Sequence, residues 1–170
     1  MSRKTEAYDL IDYLMSISKD RGAMVSLRAT ECNTLNFKAL KTIGKELRPR
    51  DMGDRLKIKL LIAKLFAMHP FRFGKDDNSN FGHAMKQVAK DFKGTFQTRF
   101  YRLLEADSVE DIEREITVLV RMAKKGGAKI NFYNLSYHLM AWKDDNEWVQ
   151  EKWGVSFYST KKEEKKNDNE

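Results

Sequence analysis

The histidines and the cysteine are the residues best suited to bind a metal or form a disulfide. Their number and spacing favour neither. His69, His83 and His138 are the only histidines, and no two of them share a helical spacing that would make a metal pair. The single cysteine, Cys32, has no second thiol within the chain and is typical of a small buried residue. We therefore expect no bound metal, no cofactor and no disulfide.

Two pairs of adjacent aspartates, Asp76-Asp77 and Asp144-Asp145, are candidates for carboxylate chemistry. Side chains of adjacent residues point apart, so neither pair forms a two-metal site or a glycosidase-like dyad, and roles in turns and helix starts are favoured. The spacing therefore predicts a protein that is not an enzyme. An alternative is a small nuclease that uses Asp76, Asp77 and His83 with a divalent metal.

The lysines and arginines are the residues that indicate a function, because they are concentrated in one part of the chain. Residues 1–104 contain 21 Lys/Arg against 11 Asp/Glu, whereas residues 105–170 contain 11 against 14. Several cations recur every three or four residues, as do Lys38, Lys41, Lys45 and Arg48, which places them along one face of a predicted helix. Such rows can form a patch that binds phosphate backbones without reading bases. The alternative is that each row is the solvated face of an amphipathic helix.

We predict that basic side chains from these rows, and from the loop between them, contact nucleic acid. The predicted residues are Arg21, Arg28, Lys41, Lys45, Arg48, Arg55, Lys59, Arg72, Lys86, Lys90, Arg99 and Arg102. Lys57, Lys59 and Lys64 are placed outside the buried stripe of their helix. Aromatic residues are not interleaved with the cations as in single-strand stacking grooves, except for Phe71 and Phe73 beside Arg72.

Helical periodicity dominates the chain and predicts an all-α fold of about eight to nine helices. The expected helices cover residues 5–19, 24–28, 34–47, 54–68, 81–92, 96–104, 108–125, 131–142 and 145–157. Thr5, Thr34, Ser108 and Asn131 are the predicted caps or starting residues. The nine glycines and two prolines leave few interruptions, which also favours long helices over β structure.

The stretch from 69 to 80 has no periodicity and is the natural boundary between two small lobes. We predict an N-terminal helical lobe over residues 1–75, a C-terminal helical lobe over 76–158 and a disordered charged tail over 159–170. No apolar run is long enough to span a bilayer and nothing at the N-terminus resembles a signal peptide. A cytoplasmic protein without membrane contact is expected.

Five short motifs, in matching order and spacing over residues 8–158, resemble the CasB family. The central one is TRFYRLLEAD at residues 98–107, which is similar to the family's "RF-x-RLL-x-AD". The others are RGA and LR within residues 21–28, LFAMHP at 65–70, FGHAM at 81–85, and the series Leu135, Leu139, Trp142, Trp153, Phe157 and Tyr158. Each motif alone is weak, but the ordered set is considerably more specific.

The resemblance implies an all-helical, non-catalytic small subunit of the type I-E CRISPR Cascade complex. Such a protein would stand beside the backbone and large subunits with a second copy of itself. It would contact guide RNA and target DNA in the R-loop and hold the displaced strand through basic side chains. By motif, the functional cations would be Arg21, Arg28, Arg55, Arg99 and Arg102. The chain departs from the family pattern at Ala29, Thr117, Val118, Asp144 and Asp145.

A rival hypothesis is a helical protein–protein adaptor without a direct role in nucleic-acid binding. Its charges would serve docking, and exposed aromatic residues among Tyr133, Tyr137, Trp148 and Trp153 would anchor the partner.

Overall fold

The computed structural model describes residues 1–70, 73–92 and 94–160, and in this part of the chain the secondary structure is helical without a strand. The α-helices are α1 (Arg3–Ser16), α2 (Arg21–Arg28), α3 (Phe37–Thr42), α4 (Asp54–Met68), α5 (Phe81–Ala89), α6 (Thr95–Leu104), α7 (Val109–Lys125), α8 (Phe132–Met140) and α9 (Trp148–Tyr158). A 3₁₀ turn, η1 (Gly44–Glu46), follows α3. The predicted all-α class is confirmed.

Side-chain caps explain where several helices begin. Ser108 and Asn131 accept a hydrogen bond from the backbone N–H three residues on, as predicted. Thr5 and Thr34 do not start their helices, because Ser2 and Asn36 already fill the N-cap positions with extended backbone and a side-chain acceptor. The bounds of α4 are as predicted.

The predicted helix over 34–47 is wrong, because it is shorter and broken. α3 ends at Thr42, and the chain continues from Gly44 as a 3₁₀ turn. The basic row expected on one helix face is therefore divided among α3, η1 and the turn after them. The apolar pattern of this predicted helix puts Phe37, Leu40, Ile43 and Leu47 on one side, but Phe37 is the first residue of α3 and is 73% exposed.

α4 is the centre of the core. Every residue from Ile58 to Met68 is buried, and the helix packs on α2, α7 and α8. α1 packs on α8, so helices from both predicted lobes share one hydrophobic core. The division into lobes at residue 75 stays a prediction.

α5 and α9 make the most intimate helix pair. A Cβ at Gly82 would overlap the backbone carbonyl of Trp153, so only glycine permits this approach.

Of the predicted charged tail, residues 161–170 lie outside the described part of the chain, as do Phe71, Arg72 and Lys93. Among the described helices, none has the length and apolar character needed to cross a membrane.

Candidate nucleic-acid interface

Six cations lie on α2, α3, η1 and the turn that follows, and we call them the N-terminal basic surface. They are Arg21, Arg28, Lys38, Lys41, Lys45 and Arg48. α2 turns Met24 and Leu27 into the core, and α3 does the same with Ala39. The cations of both helices are consequently left on the outer side, and only Arg48 of the six is partly covered. The two helices pack on each other, with the hydroxyls of Ser26 and Thr42 3.1 Å apart.

The cations of the N-terminal basic surface form no ion pair within the described chain, although Asp20 caps α2 and Glu46 lies in η1. None of the six has a described carboxylate within the 4.0 Å of an ion pair. The sequences of α2 (RGAMVSLR) and α3 (FKALKT) contain no acidic residue at all. Arg28 donates to the carbonyl of Ala67 at 3.4 Å, which leaves most of its donors free. A surface of this kind suits a polyanion, because binding it releases counterions without breaking ion pairs.

Lys59 has a different environment, which we call the buried charge cluster: Lys59, Glu6 and Asp51, with Arg50 and Arg55 at its edge. The Lys59 ammonium lies 2.8 Å from a Glu6 carboxylate oxygen and 2.6 Å from one of Asp51, and it donates to a backbone carbonyl at 2.9 Å. Lys59 is only 2% exposed. The prediction that it meets a phosphate is therefore corrected, since its ammonium is enclosed by carboxylates.

The two carboxylates of the cluster stay ionised at neutral pH. Burial by itself would raise the pKa of Glu6, but hydrogen bonds and charge from Lys59 and Arg50 hold that pKa below its usual value. The pKa of Asp51 is likewise lowered: burial opposes the shift, and Lys59 together with the backbone N–H of Arg48 outweighs it. The cluster thus ties α1 and the segment before α4 to α4 itself.

Arg55 is half exposed, but it is engaged by the same two acids, with contacts of 3.6 Å to Glu6 and to Asp51. It therefore differs from the cations of the N-terminal basic surface, since a phosphate would compete with two carboxylates.

The other lysines of α4 pair with α7. Lys64 lies 2.9 Å from Glu113 and is 8% exposed, and Lys57 lies 2.7 Å from Glu110. The prediction that Lys59 and Lys64 lie outside the buried stripe is wrong, because α4 is enclosed on nearly all sides and its neighbours supply carboxylates. Lys57 remains partly exposed.

The predicted cations of α5 and α6 are divided between free and engaged. Lys86 donates to the backbone carbonyl of Ser159, and Arg99 donates to Glu115 at 3.0 Å. Lys90 and Arg102 are exposed, and neither has a described carboxylate within ion-pair distance. α5 and α6 pack on α7 and α9, whereas α2 and α3 pack on each other and α2 packs on α4. The predicted residues therefore fall into separate groups, and Arg72 lies outside the described residues.

The histidines are held in structural hydrogen bonds. His138 is buried and accepts from the Trp153 indole at 2.9 Å, and burial lowers the pKa of His138 to about 4, so it is neutral. His83 accepts from the backbone N–H of Asn80 at 3.1 Å in a capping box, and His69 bonds the carbonyl of Ala128 at 2.7 Å. These contacts give each histidine a structural role.

The residues proposed for a nuclease do not assemble a centre. The Asp77 carboxylate accepts the Ser79 N–H at 2.7 Å, which is a turn contact. Within the described ranges there is no group of three metal-ligating side chains. Burial and Glu113 raise the pKa of Cys32, so that side chain is a thiol rather than a nucleophilic thiolate.

The aromatic residues proposed as adaptor anchors are mostly internal. Trp153 and Tyr133 are buried, and Trp148 packs edge-on against His138. The exposed aromatic side chains lie elsewhere, and Phe37 is the most exposed aromatic side chain among the described residues. Sequence periodicity missed it because Phe37, Leu40 and Ile43 recur every three residues. The buried side of this segment is instead formed by Ala39 and Ile43, four residues apart.

The chain resembles known proteins in both sequence and fold. Residues 24–158 match the family model of the CRISPR-associated protein Cse2. A Cse2-family protein from Thermus thermophilus has the same fold, with 20% identity, a TM-score of 0.76 and coverage of 93% of this chain and 99% of that one.

Two further solved structures have the same fold. CasB of M. ruber has 20% identity and a TM-score of 0.71, with 93% of each chain covered. A chain from a CRISPR RNA-guided surveillance complex has 16% identity and a TM-score of 0.70, with 91% of each chain covered. No curated protein sequence gives a significant match.

Proposed function

The chain belongs to the Cse2 (CasB) family of CRISPR-associated proteins, and from this membership we propose that it is the non-catalytic small subunit of a type I-E Cascade surveillance complex. In this role it binds nucleic-acid backbone and stabilises the R-loop formed by guide RNA and target DNA, including the displaced strand. Its partners are guide RNA, target DNA, the backbone and large subunits, and a second copy of itself.

The observation that carries the proposal is the N-terminal basic surface. Its six cations are unpaired within the described chain, while almost every cation around α4 is engaged by a carboxylate. A protein that needed charge only for solubility has no reason to keep acids away from one pair of helices. Backbone binding of a strand whose sequence is read by base pairing requires this kind of surface.

Lys90 and Arg102 are a second, smaller group of free cations, and we assign them a supporting contact. Both are exposed, and they lie on the α5–α6 side of the molecule. Arg99, Arg55 and Lys86 are held by protein partners, so their contribution to binding is weaker.

The experiment that tests the proposal is a salt titration of binding by the full-length protein. Labelled single-stranded and duplex DNA are added at increasing salt, with the chain alone and with co-expressed Cascade subunits. We expect affinity to fall steeply, with a slope set by the number of phosphates contacted. The double variant Lys41→Glu, Lys45→Glu should lose DNA binding and still assemble. If neither the chain nor its assembly binds DNA at low salt, the proposal is wrong.

A further inference from the structure

Phe37 is a large apolar side chain that the fold leaves in water. It is 73% exposed at the first position of α3, whereas Ala39 and Ile43 on the other side of this segment are fully buried. Fully burying a phenylalanine stabilises a fold relative to leaving the ring exposed. The chain forgoes that gain here, so Phe37 is available to something outside the folded chain.

The surroundings of Phe37 are cationic. Lys38 is its neighbour in the chain, and Lys41 lies one turn further on the same face of α3. Both lysines are exposed and have no described carboxylate within ion-pair distance. An exposed apolar ring is therefore followed along α3 by two free positive charges.

α2 repeats the arrangement with an aliphatic residue. Val25 is 58% exposed, and it lies four residues after Arg21 and three before Arg28, so the three side chains share one helix face. In both helices the exposed apolar residue is flanked by cations and by no acid. The ligand that fits this pattern carries negative charge along its length and presents apolar faces between the charges.

We propose that Phe37 stacks on an unpaired base of a single nucleic-acid strand whose phosphates are held by Lys38 and Lys41. A single strand offers both features, since every base has a π-face and each nucleotide carries a phosphate. A duplex keeps its bases stacked inside, so Phe37 gains little from it. The inference rests on the proposed function and deepens it, by making this surface selective for the unpaired strand.

A protein partner is the competing occupant of Phe37. Such a partner would have to supply acidic groups for four unpaired cations of α2 and α3 as well as an apolar pocket for the ring. The uniform positive charge favours a polyanion.

The test compares three variants of the full-length protein by fluorescence anisotropy with labelled oligo(dT) and with duplex DNA of equal length. Phe37→Ala removes the ring, Phe37→Trp keeps a stacking surface, and Val155→Ala is the matched control because Val155 is 63% exposed on α9. Thermal melting should be unchanged for all three, since each side chain lies mostly in solvent.

We expect Phe37→Ala to weaken oligo(dT) binding by about 5- to 140-fold, the range that corresponds to the stacking of one base. Duplex binding and the salt slope should stay as in the wild type, because no charge is removed. Phe37→Trp should retain affinity, and its added indole fluorescence should be quenched by oligo(dT).

Two results would overturn the inference while leaving the proposed function in place. One is equal oligo(dT) affinity of Phe37→Ala and Val155→Ala. The other is that Phe37→Ala binds oligo(dT) normally but no longer co-purifies with the other Cascade subunits, which would assign the ring to protein docking. If the wild-type protein binds no DNA, alone or assembled, the proposed function fails, and this inference fails with it.

Discussion

The cations of α2, α3 and η1 and the cations of α4 are equally dense in the sequence but have opposite environments. Those of the N-terminal basic surface face solvent without a carboxylate partner. Those of α4 are all engaged, with Lys57 and Lys64 bound to α7 and Lys59 in the buried charge cluster. The first set is available to a ligand, whereas the second set holds helices together.

The difference between the two regions arises from their neighbours. α4 runs through the centre of the molecule, so each of its lysines lies against another helix. The ion-pair partners there are Glu6, Glu110 and Glu113. α2 and α3 lie at the periphery and carry no acid. Positive charge counted along a chain is therefore an upper limit on the charge that a ligand can reach.

The largest expected effect separates the two regions by stability. Lys59→Ala leaves Glu6 and Asp51 buried without their shared counter-charge, and we expect it to lower the free energy of unfolding by about 3–5 kcal/mol. Lys41→Ala, on the exposed surface, should change it by no more than about 0.5 kcal/mol. Urea denaturation of both variants measures the difference. Equal stabilities of the two variants would show that Lys59 does not hold the helices together.

The second largest effect expected is a loss of stability at low pH, caused by protonation of the buried charge cluster. The pKa of Glu6 is lowered in the folded protein, so its contribution to stability is complete above its unfolded pKa of about 4.5 and is lost as pH falls through the lower folded value. We expect Glu6→Gln to cost about 1–3 kcal/mol at neutral pH and to flatten the acid limb of the stability curve. Thermal melting of both proteins between pH 3 and 7, in steps of about one pH unit, measures this effect. An unchanged acid limb would contradict it.

Two arginines of α6 are expected to have opposite effects on stability and on DNA binding. Arg99→Ala removes a partner of the buried Glu115 and should lower stability by about 1 kcal/mol while affecting DNA binding little. Arg102 has no described carboxylate within ion-pair distance, so Arg102→Ala should leave the free energy of unfolding unchanged. It should weaken DNA binding several-fold, because one phosphate contact is lost. Melting and anisotropy on the same two proteins measure both effects. The reverse assignment would show that the ion pair opens on binding.

The smallest effect is a change in salt dependence. Lys41→Ala should reduce the slope of log affinity against log salt by about 0.9 for duplex DNA, since one phosphate contact is lost. Lys57→Ala is the matched control, because its ammonium is already paired with Glu110. Binding titrations at several salt concentrations distinguish the two. A lower slope for Lys57→Ala would show that α4 also presents cations to DNA.

Much of the fold could be predicted from the sequence, because helical periodicity and capping are local. The bounds of α4 and the caps Ser108 and Asn131 follow from residues within one or two turns. The broken helix after Thr42 was missed, since its apolar pattern continues past the break. The start of α3 was missed for a related reason, because Thr34 and Asn36 are both good N-caps and only one can close the first turn.

By itself, the sequence determined the all-α class, the basic N-terminal excess and the ordered motifs of the family, since each depends on residue type and spacing alone. Tertiary structure decided which cations are free. The partners of Lys59 and Lys64 are Glu6, Asp51 and Glu113, and two of these lie about fifty residues away along the chain. Tertiary structure also decided that Phe37 is exposed. Contacts of this range depend on how helices pack, and helical periodicity carries no information about which acid arrives beside which lysine.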